Sequence, residues 1–595
     1  MDNFQQAKLT KERLDQISPT MCMAKWLQVS LHLPQGRTHS CYHPPTHKIP
    51  LEELYFNKNA LHNTKHKMLE REQMKRGEQP TGCQYCWNVE NQGNLSDRHY
   101  RSGEWWAKDA WEEVVNNSAD YDIKPRYVEV NFNQACNFKC SYCSPHLSTA
   151  WEEDIRQHGD FEFSSGKTHN NIENLTDLKL MPQKLSTKEN PYVDAFWEWF
   201  PTIADDLKVF RMTGGEPLMD KNTFRVLDYF IENPNPGLEL SITSNMCPPD
   251  PRLFDKFLNT VKSMESDMND NRIDEWLKTG EAVVIKYLRY NKWRTLDMPN
   301  NHHDTWPTYI ILDDASDNIP EIQRELERKL ASEVQGNFTE NNGSRDPDTG
   351  DFIYELLWIK PKGTQDWYCL GAYEDNKLNE QRVDRVRNFT LFVSVDSWGE
   401  QAEYIRDGLH FETLKKNVER ILSETRNVNI SFINTFSLLS VPGLKNFMQW
   451  MLDLRKKYNA DAQQQLHNRQ NKRIEFDTPY LRDPRWMTIE LCDQMLRDEI
   501  YSVVRFMEQH KNTDTDVSST FEGFYESEIA KLKRDLEWAQ QGANQMSQEE
   551  RSERLVEFYE YFTEYDRRRK KDFLKTFPSL IGFMHDAQAE ADQRK

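Results

Sequence analysis

Seven of the ten cysteines in this 595-residue chain fall early: Cys22, Cys41, Cys83, Cys86, Cys136, Cys140 and Cys143. Cys247, Cys369 and Cys492 stand alone. So sparse a total excludes a disulfide scaffold, and clustered thiols in a reducing compartment are more often metal ligands than disulfide partners. The clustering therefore points to metal chemistry near the N-terminus. The densest group, Cys136-Asn-Phe-Lys-Cys140-Ser-Tyr-Cys143, follows an alternating run at 127–132 that predicts a β-strand. Three thiolates in so short a loop can hold three irons of one cubane and leave the fourth iron open to an external ligand. A zinc knuckle is the other reading of this loop, with His146 near enough in sequence to complete it.

From about residue 121 short β-rich runs alternate with helical periodicity, the pattern of parallel βαβ units. Strands are expected at 127–132, 207–212, 238–243, 389–395, 428–433 and 473–476, and helices at 194–207, 222–232, 411–423 and 443–458. Five regions follow. Residues 1–120 form a small cysteine-rich domain that closes in a Trp-rich helix over 103–115. Residues 121–264 and 386–483 are two parts of one α/β domain. Residues 265–385 are too long for a loop and predict an inserted α+β subdomain, with strands at 306–312 and 352–359, a helix at 319–333 and a turn-rich stretch at 341–350. Residues 484–595 are helical and charged, and their densest basic run, at 567–571, is expected to be a solvated face.

Further landmarks stand at the ends of the expected strands. Thr213-Gly214-Gly215-Glu216-Pro217 follows the second, Thr243-Ser244-Asn245 ends the third, and the fourth carries Ser394-Val-Asp396 with Arg406 downstream. A CxxxCxxC loop after a strand, followed in order by these motifs, resembles the radical S-adenosylmethionine superfamily. The resemblance implies a partial (β/α)6 TIM-like barrel with its site at the C-terminal ends of the strands. It implies a [4Fe–4S] cluster on Cys136, Cys140 and Cys143, and S-adenosylmethionine held by Tyr142, Gly214, Gly215, Glu216, Pro217, Asn245, Ser394 and Arg406. In such enzymes Tyr142 would sit by the adenine, the Gly-Gly-Glu-Pro turn would bind the methionine amino group, and Asn245 would approach the ribose. Ser394 would bond the ribose or carboxylate, and Arg406 would pair with the methionine carboxylate. The usual Thr-Asn-Gly at the third strand is altered here to Asn245-Met246-Cys247.

The four earlier cysteines can complete a closed four-cysteine site for an Fe–S cluster or zinc. The spacing Cys83-x2-Cys86…Glu90-x2-Gly93…Ser96-x-Arg98 resembles the "twitch" auxiliary-cluster domain, in the subset that carries it N-terminally. His32, His39, His43 and His47 lie close in sequence, so a mixed ligand set stays open. The resemblance covers most of residues 20–265 and 388–440.

With 96 acidic against 76 basic residues, the net charge of −20 argues against a nucleic-acid binder. No run approaches the ~18 apolar residues of a membrane span, and the first residues lack a signal peptide's apolar region. The expectation is a soluble, cytoplasmic enzyme. As the resemblance implies, it would use an external one-electron reductant to cleave S-adenosylmethionine to a 5′-deoxyadenosyl radical and abstract hydrogen from a substrate. A peptide or protein side chain is the substrate class expected, with a small-molecule or nucleotide-derived substrate as the alternative. From another class, the alternative is a zinc-stapled binding protein.

Overall fold

A computed structural model of the chain describes residues 3–108, 110–183, 190–265, 385–425, 427–458, 473–512 and 522–594, together with short backbone strands between 282 and 378. Its centre is a mixed, mostly parallel nine-stranded sheet. In chain order the strands are β1 (Gln28–His32), β2 (Arg37–His39), β3 (His47–Lys48), β4 (Tyr127–Asn131), β5 (Val209–Thr213), β6 (Asn235–Ser244), β7 (Val386–Ser394), β8 (Val428–Ile433) and β9 (Ile474–Asp477). They lie side by side in the order β9-β8-β7-β6-β5-β4-β1-β2-β3. The six strands expected from the sequence are all present, as neighbours in sequential order and parallel throughout. Three more come from the cysteine-rich region: β1 pairs parallel with β4, and β2 and β3 extend that edge antiparallel.

Helices connect the parallel strands, and their apolar spacing explains which side they cover. Lys221–Glu232 buries Phe224, Leu227 and Phe230, and Pro251–Met264 buries Phe254, Phe257, Leu258 and Val261, the three-and-four spacing of one helical face. Asp220 and Asp250 cap the two N-termini by accepting backbone N–H groups. The helix expected at 194–207 begins earlier, at Pro191, because Asn190 caps it and the proline takes the first turn, where its missing N–H costs nothing. The Trp-rich helix expected over 103–115 is two pieces, Trp105–Lys108 and Trp111–Asn116. Ala110, at φ −97° and ψ 16°, leaves helical geometry between them.

Burial alternates along the strands. Val128, Phe210, Leu240, Leu391 and Ile430 are wholly buried toward the helices. On the other face run cross-strand neighbours Glu129, Arg211, Ser241, Thr390 and Asn429. Parallel sheets are usually covered and apolar on both faces, and this polar, half-buried face departs from that pattern.

The insertion carries a separate antiparallel sheet containing Ala282–Arg289, Thr308–Asp314, Phe352–Ile359, Tyr368–Glu374 and Lys377–Leu378, with Ser344–Arg345 paired to the third of these. Two of these strands match those expected at 306–312 and 352–359. The helix expected at 319–333 lies outside the described residues, as does most of 341–350. The insertion leaves after Met264 and returns at Arg385, whose N–H donates to the Met264 carbonyl at 3.0 Å. That junction lies at the N-terminal end of β7, whereas the cysteine loop follows the C-terminal end of the parallel strand β4.

The C-terminal region is helical as expected, with Gln494–Gln509, Glu526–Gln545, Gln548–Arg569 and Ile581–Arg594. Its basic run is not a solvated face: the side chains of Arg568 and Arg569 are 2% and 1% exposed, while Arg567 is 63% exposed. The helix that carries them packs its aromatic side onto the cysteine loop, and this contact buries the run's inner members. Among the described residues no helix is long and apolar enough to cross a membrane.

Candidate metal centres

The loop after β4 is shaped by its neighbours on three sides. Lys139–Cys140 pairs antiparallel with Arg406–Asp407, setting Cys140 opposite Arg406. The Gly-Gly-Glu-Pro turn runs against the loop's other edge: Gly215 N–H donates to Asn133 O at 3.3 Å and Glu216 N–H to Ala135 O at 2.6 Å. A Cβ on Gly215 would fall 2.2 Å from Ala135 O, and Gly214 sits at φ +131° with Asn131 and Asn133 oxygens close by. Only glycine permits this approach. At the loop's base Asn137 donates to Cys247 O at 2.8 Å, and Asn245 Nδ2 donates to Asn137 Oδ1 at 3.0 Å. Loops from β4, β5, β6 and β7 thus meet at one end of the sheet.

Cys140 is buried, and Cys136 and Cys143 are half-buried. Burial pushes all three thiols up, Cys143 to about 12, and the Arg406 guanidinium works against it at each. Arg406 Nη1 donates to Cys140 Sγ at 3.6 Å. The same guanidinium pairs with buried Asp396, with Nε 2.8 Å from Oδ2 and Nη2 donating to Oδ1 at 3.1 Å. Tyr142 OH donates to Asp396 Oδ2 at 2.8 Å, and Thr435 N–H to Oδ1 at 2.8 Å. Tyr142 and Arg406 are therefore joined through Asp396, to which the sequence reading gave no role beyond its place in the Ser394-x-Asp396 pattern.

Glu216 is buried, and its carboxylate ties two strand ends together. Oε1 accepts from Leu218 N–H at 3.0 Å and Ser244 Oγ at 2.8 Å, and Oε2 accepts from Asn245 N–H at 2.7 Å. Burial raises its pKa to about 7 against these donors. Asn245 Oδ1 accepts from Cys247 N–H at 2.8 Å. Pro217 opens the short 3-10 turn Pro217–Met219 that Glu216 caps. Ser394 ends β7, half-buried and paired with Ile433 of β8. His146 hydrogen-bonds Ser144 Oγ at 2.9 Å.

The four earlier cysteines line one small pocket. Its walls also include Lys25, Tyr42, His43, Asp97, Arg98 and Arg101. Two segments deliver Cys83 and Cys86: a 3-10 turn, Thr81–Cys83, and the helix Gln84–Asn91. A clamp fixes that helix to the segment before Cys22. Arg98 donates to Glu90 at 2.7 and 2.8 Å, to Met21 O at 2.8 Å and to Pro19 O at 2.9 Å, while Ser96 Oγ donates to Glu90 at 2.5 Å. The Glu90, Ser96 and Arg98 of the spaced motif thus form a single network. Burial lifts the thiols of Cys83 to about 11 and of Cys41 and Cys86 to about 12, each raised further by Cys22. Lys25 is buried with Nζ 2.7 Å from Glu70 Oε2. Burial acts to lower its pKa, but Cys83 and Glu70 outweigh it and hold the ammonium above its ordinary value.

Of the histidines, His43 borders this cavity, stacked on Tyr85 and paired with Asp97. His32 and His39 stack on each other, and His47 hydrogen-bonds Thr64. Among the described residues no group of three or more His, Cys, Asp or Glu side chains is placed to hold a metal ion. The donor chemistry nonetheless suits an anionic group: the four earlier thiols line one pocket with Lys25, and Cys140 of the loop lies against Arg406. No family model, curated protein or solved structure matches this chain.

Proposed function

We propose that this chain is a radical S-adenosylmethionine enzyme with an N-terminal auxiliary Fe–S centre. The observation that carries the reading is the meeting of the Cys136–Cys143 loop, the Gly214–Pro217 turn, the Asn245 strand end and Arg406 at the C-terminal ends of successive parallel strands. In this reading β4 to β9 are a partial (β/α)6 barrel, and sites on such sheets gather at that end. Cys136, Cys140 and Cys143 would hold a [4Fe–4S] cluster, and Cys22, Cys41, Cys83 and Cys86 a second cluster, with zinc as its alternative. When bound, the cluster and S-adenosylmethionine supply a 5′-deoxyadenosyl radical for hydrogen abstraction, on one electron from an external reductant.

The chain's own residues do the rest. Gly214 and Gly215 keep the turn flush against the cysteine loop, and Glu216 locks it to Asn245. Arg406 stabilises thiolate at Cys140, and Asp396 orients Arg406 and Tyr142 together. The polar sheet face forms the substrate chamber. There Arg211 lies 4.4 Å over the Phe392 ring and donates to Thr243 at 3.2 Å, groups suited to a polar substrate such as a peptide or protein side chain.

Anaerobic purification, reconstitution with iron and sulfide, and assay of metal and 5′-deoxyadenosine test this reading. Two cubanes predict about eight irons per chain with reductant-dependent deoxyadenosine. Bound zinc without deoxyadenosine sinks it.

A further inference from the structure

In the cysteine loop the carbonyls of Phe138, Cys140 and Ser141 each accept a side-chain donor. Ser148 Oγ donates to Phe138 O at 2.8 Å, Trp151 Nε1 to Cys140 O at 2.9 Å and Tyr561 OH to Ser141 O at 2.6 Å, while Tyr565 OH donates to Tyr404 O at 3.0 Å and lies 3.4 Å from Lys139 O. Tyr561 and Tyr565 come from the helix Gln548–Arg569, more than 400 residues further along the chain. The last residue of that helix, Arg569, lies with its guanidinium 4.6 Å from the Trp151 ring and 4.0 Å from the Tyr565 ring. It is buried, and none of its three side-chain nitrogens has a hydrogen-bond partner.

Its carboxylate neighbours are shared with other cations. Asp407 Oδ2 is 3.4 Å and Asp154 Oδ2 3.7 Å from Arg569. Lys139 stands 3.5 Å from each of these carboxylates, and Lys571 is 2.9 Å from Asp407. Arg568 also reaches Asp154, at 3.5 Å, but has a carboxylate of its own in Glu564, at 2.7 Å. Arg569 thus shares Asp154 and Asp407 with Lys139, Arg568 and Lys571, and with Arg568 it is the least exposed of these cations, on the inner side of the cysteine loop. A buried charge whose counter-ions are shared is costly unless a further opposite charge lies close by. A cluster on three thiolates is such an anion, and its charge grows more negative on reduction.

We propose that Arg569 is a positioning residue for the centre bound by Cys136, Cys140 and Cys143, holding the loop through Trp151 and Tyr565 and favouring the centre's reduced state. This rests on the radical S-adenosylmethionine reading. An external one-electron donor reduces the centre; Arg569 exchanges neither proton nor electron and acts through its charge. No role for the C-terminal region is implied by the motifs in the first half of the chain.

The test is a redox titration, by electron paramagnetic resonance, of the full reconstituted chain with dithionite as reductant. The relevant signal is the one lost in Cys140→Ala. Arg569→Gln is expected to keep its iron but to lower the reduced fraction at fixed poise about tenfold, a midpoint about 59 mV more negative. Arg569→Lys restores the charge and most of the shift, and Arg567→Gln on the exposed side of the same helix leaves the midpoint unchanged. An unshifted midpoint in iron-replete Arg569→Gln overturns the proposal, as does an equal shift in Arg567→Gln. If Arg569→Gln loses its iron, Arg569→Lys decides: a wild-type midpoint supports the charge role, and loss of iron there too overturns it. Wild-type chain with no cluster on these cysteines removes the functional reading and this proposal together.

Discussion

Arg406 and Asp396 form a two-point ion pair in the interior, 2.8 Å between Nε and Oδ2 and 3.1 Å between Nη2 and Oδ1, with Cys140 Sγ on the far side of the guanidinium. Removing one member of such a pair strands the other's charge. Asp396→Asn is expected to destabilise the chain by about 3 kcal/mol and to release Tyr142 and Thr435 from their common acceptor. Denaturant unfolding measures the first effect, and deoxyadenosine release, expected to fall sharply, measures the second. Wild-type values for both would show that the pair matters to neither.

Cys140→Ala is expected to abolish deoxyadenosine release. Cys492 is equally buried but lies in the apolar core away from the loop, so Cys492→Ala should keep release and lose about 1 kcal/mol of stability. Equal activity in the two variants contradicts the ligand assignment.

Gly215→Ala places a Cβ 2.2 Å from Ala135 O, a backbone atom with little room to yield. About 1–3 kcal/mol of overpacking strain is expected, and with it loss of iron from the loop. Gly582→Ala is the control. Nothing lies within 4 Å of a Cβ there, and alanine in a helix should add about 0.5–1 kcal/mol.

Cys83→Ala is expected to lower iron from about eight to about four per chain while sparing deoxyadenosine formation without substrate. Product formation with substrate should fail. Unchanged iron content would remove Cys83 from the ligand set.

Asp535 gives a pH signature remote from both centres. Burial lifts its pKa to about 6, against the Thr478 hydroxyl and Arg534. The folded state therefore binds this proton more tightly than the unfolded chain does. The resulting stability is complete below the unfolded value near 4 and disappears as pH rises through 6. Asp535→Asn cannot ionise, so at pH 8 it should exceed wild type by up to about 3 kcal/mol and match it near pH 4. Urea unfolding at the two pH values checks the sign.

The parallel strands and their helices were legible because burial on one face writes a plain alternation into runs such as 127–132 and 428–433. The meeting of the Gly214–Pro217 turn with the cysteine loop was legible through glycine, since Gly215 stands where a side chain cannot. Convergence of Cys22, Cys41, Cys83 and Cys86 was harder to see across the gap between Cys41 and Cys83. The Glu90–Arg98 clamp that closes it is visible only as a spacing. The addition of β1 to the edge of β4 left no signal, since edge pairing is made by backbone groups. The basic run at 567–571 misled because a charge count cannot tell Arg567, in water, from Arg569, stacked between two rings. Tyr561 and Tyr565 carried no signal, because a tyrosine hydroxyl's distant partner leaves no periodicity.

The inserted sheet leaves the core at Met264 and rejoins it at Arg385, two residues already hydrogen-bonded to each other. Excision between them would remove no strand of the nine-stranded sheet and shift no register, and a tight turn could close the gap. The segment is in that sense a cassette, open to exchange or deletion while the cysteine loop and the four-thiol cavity stay in place.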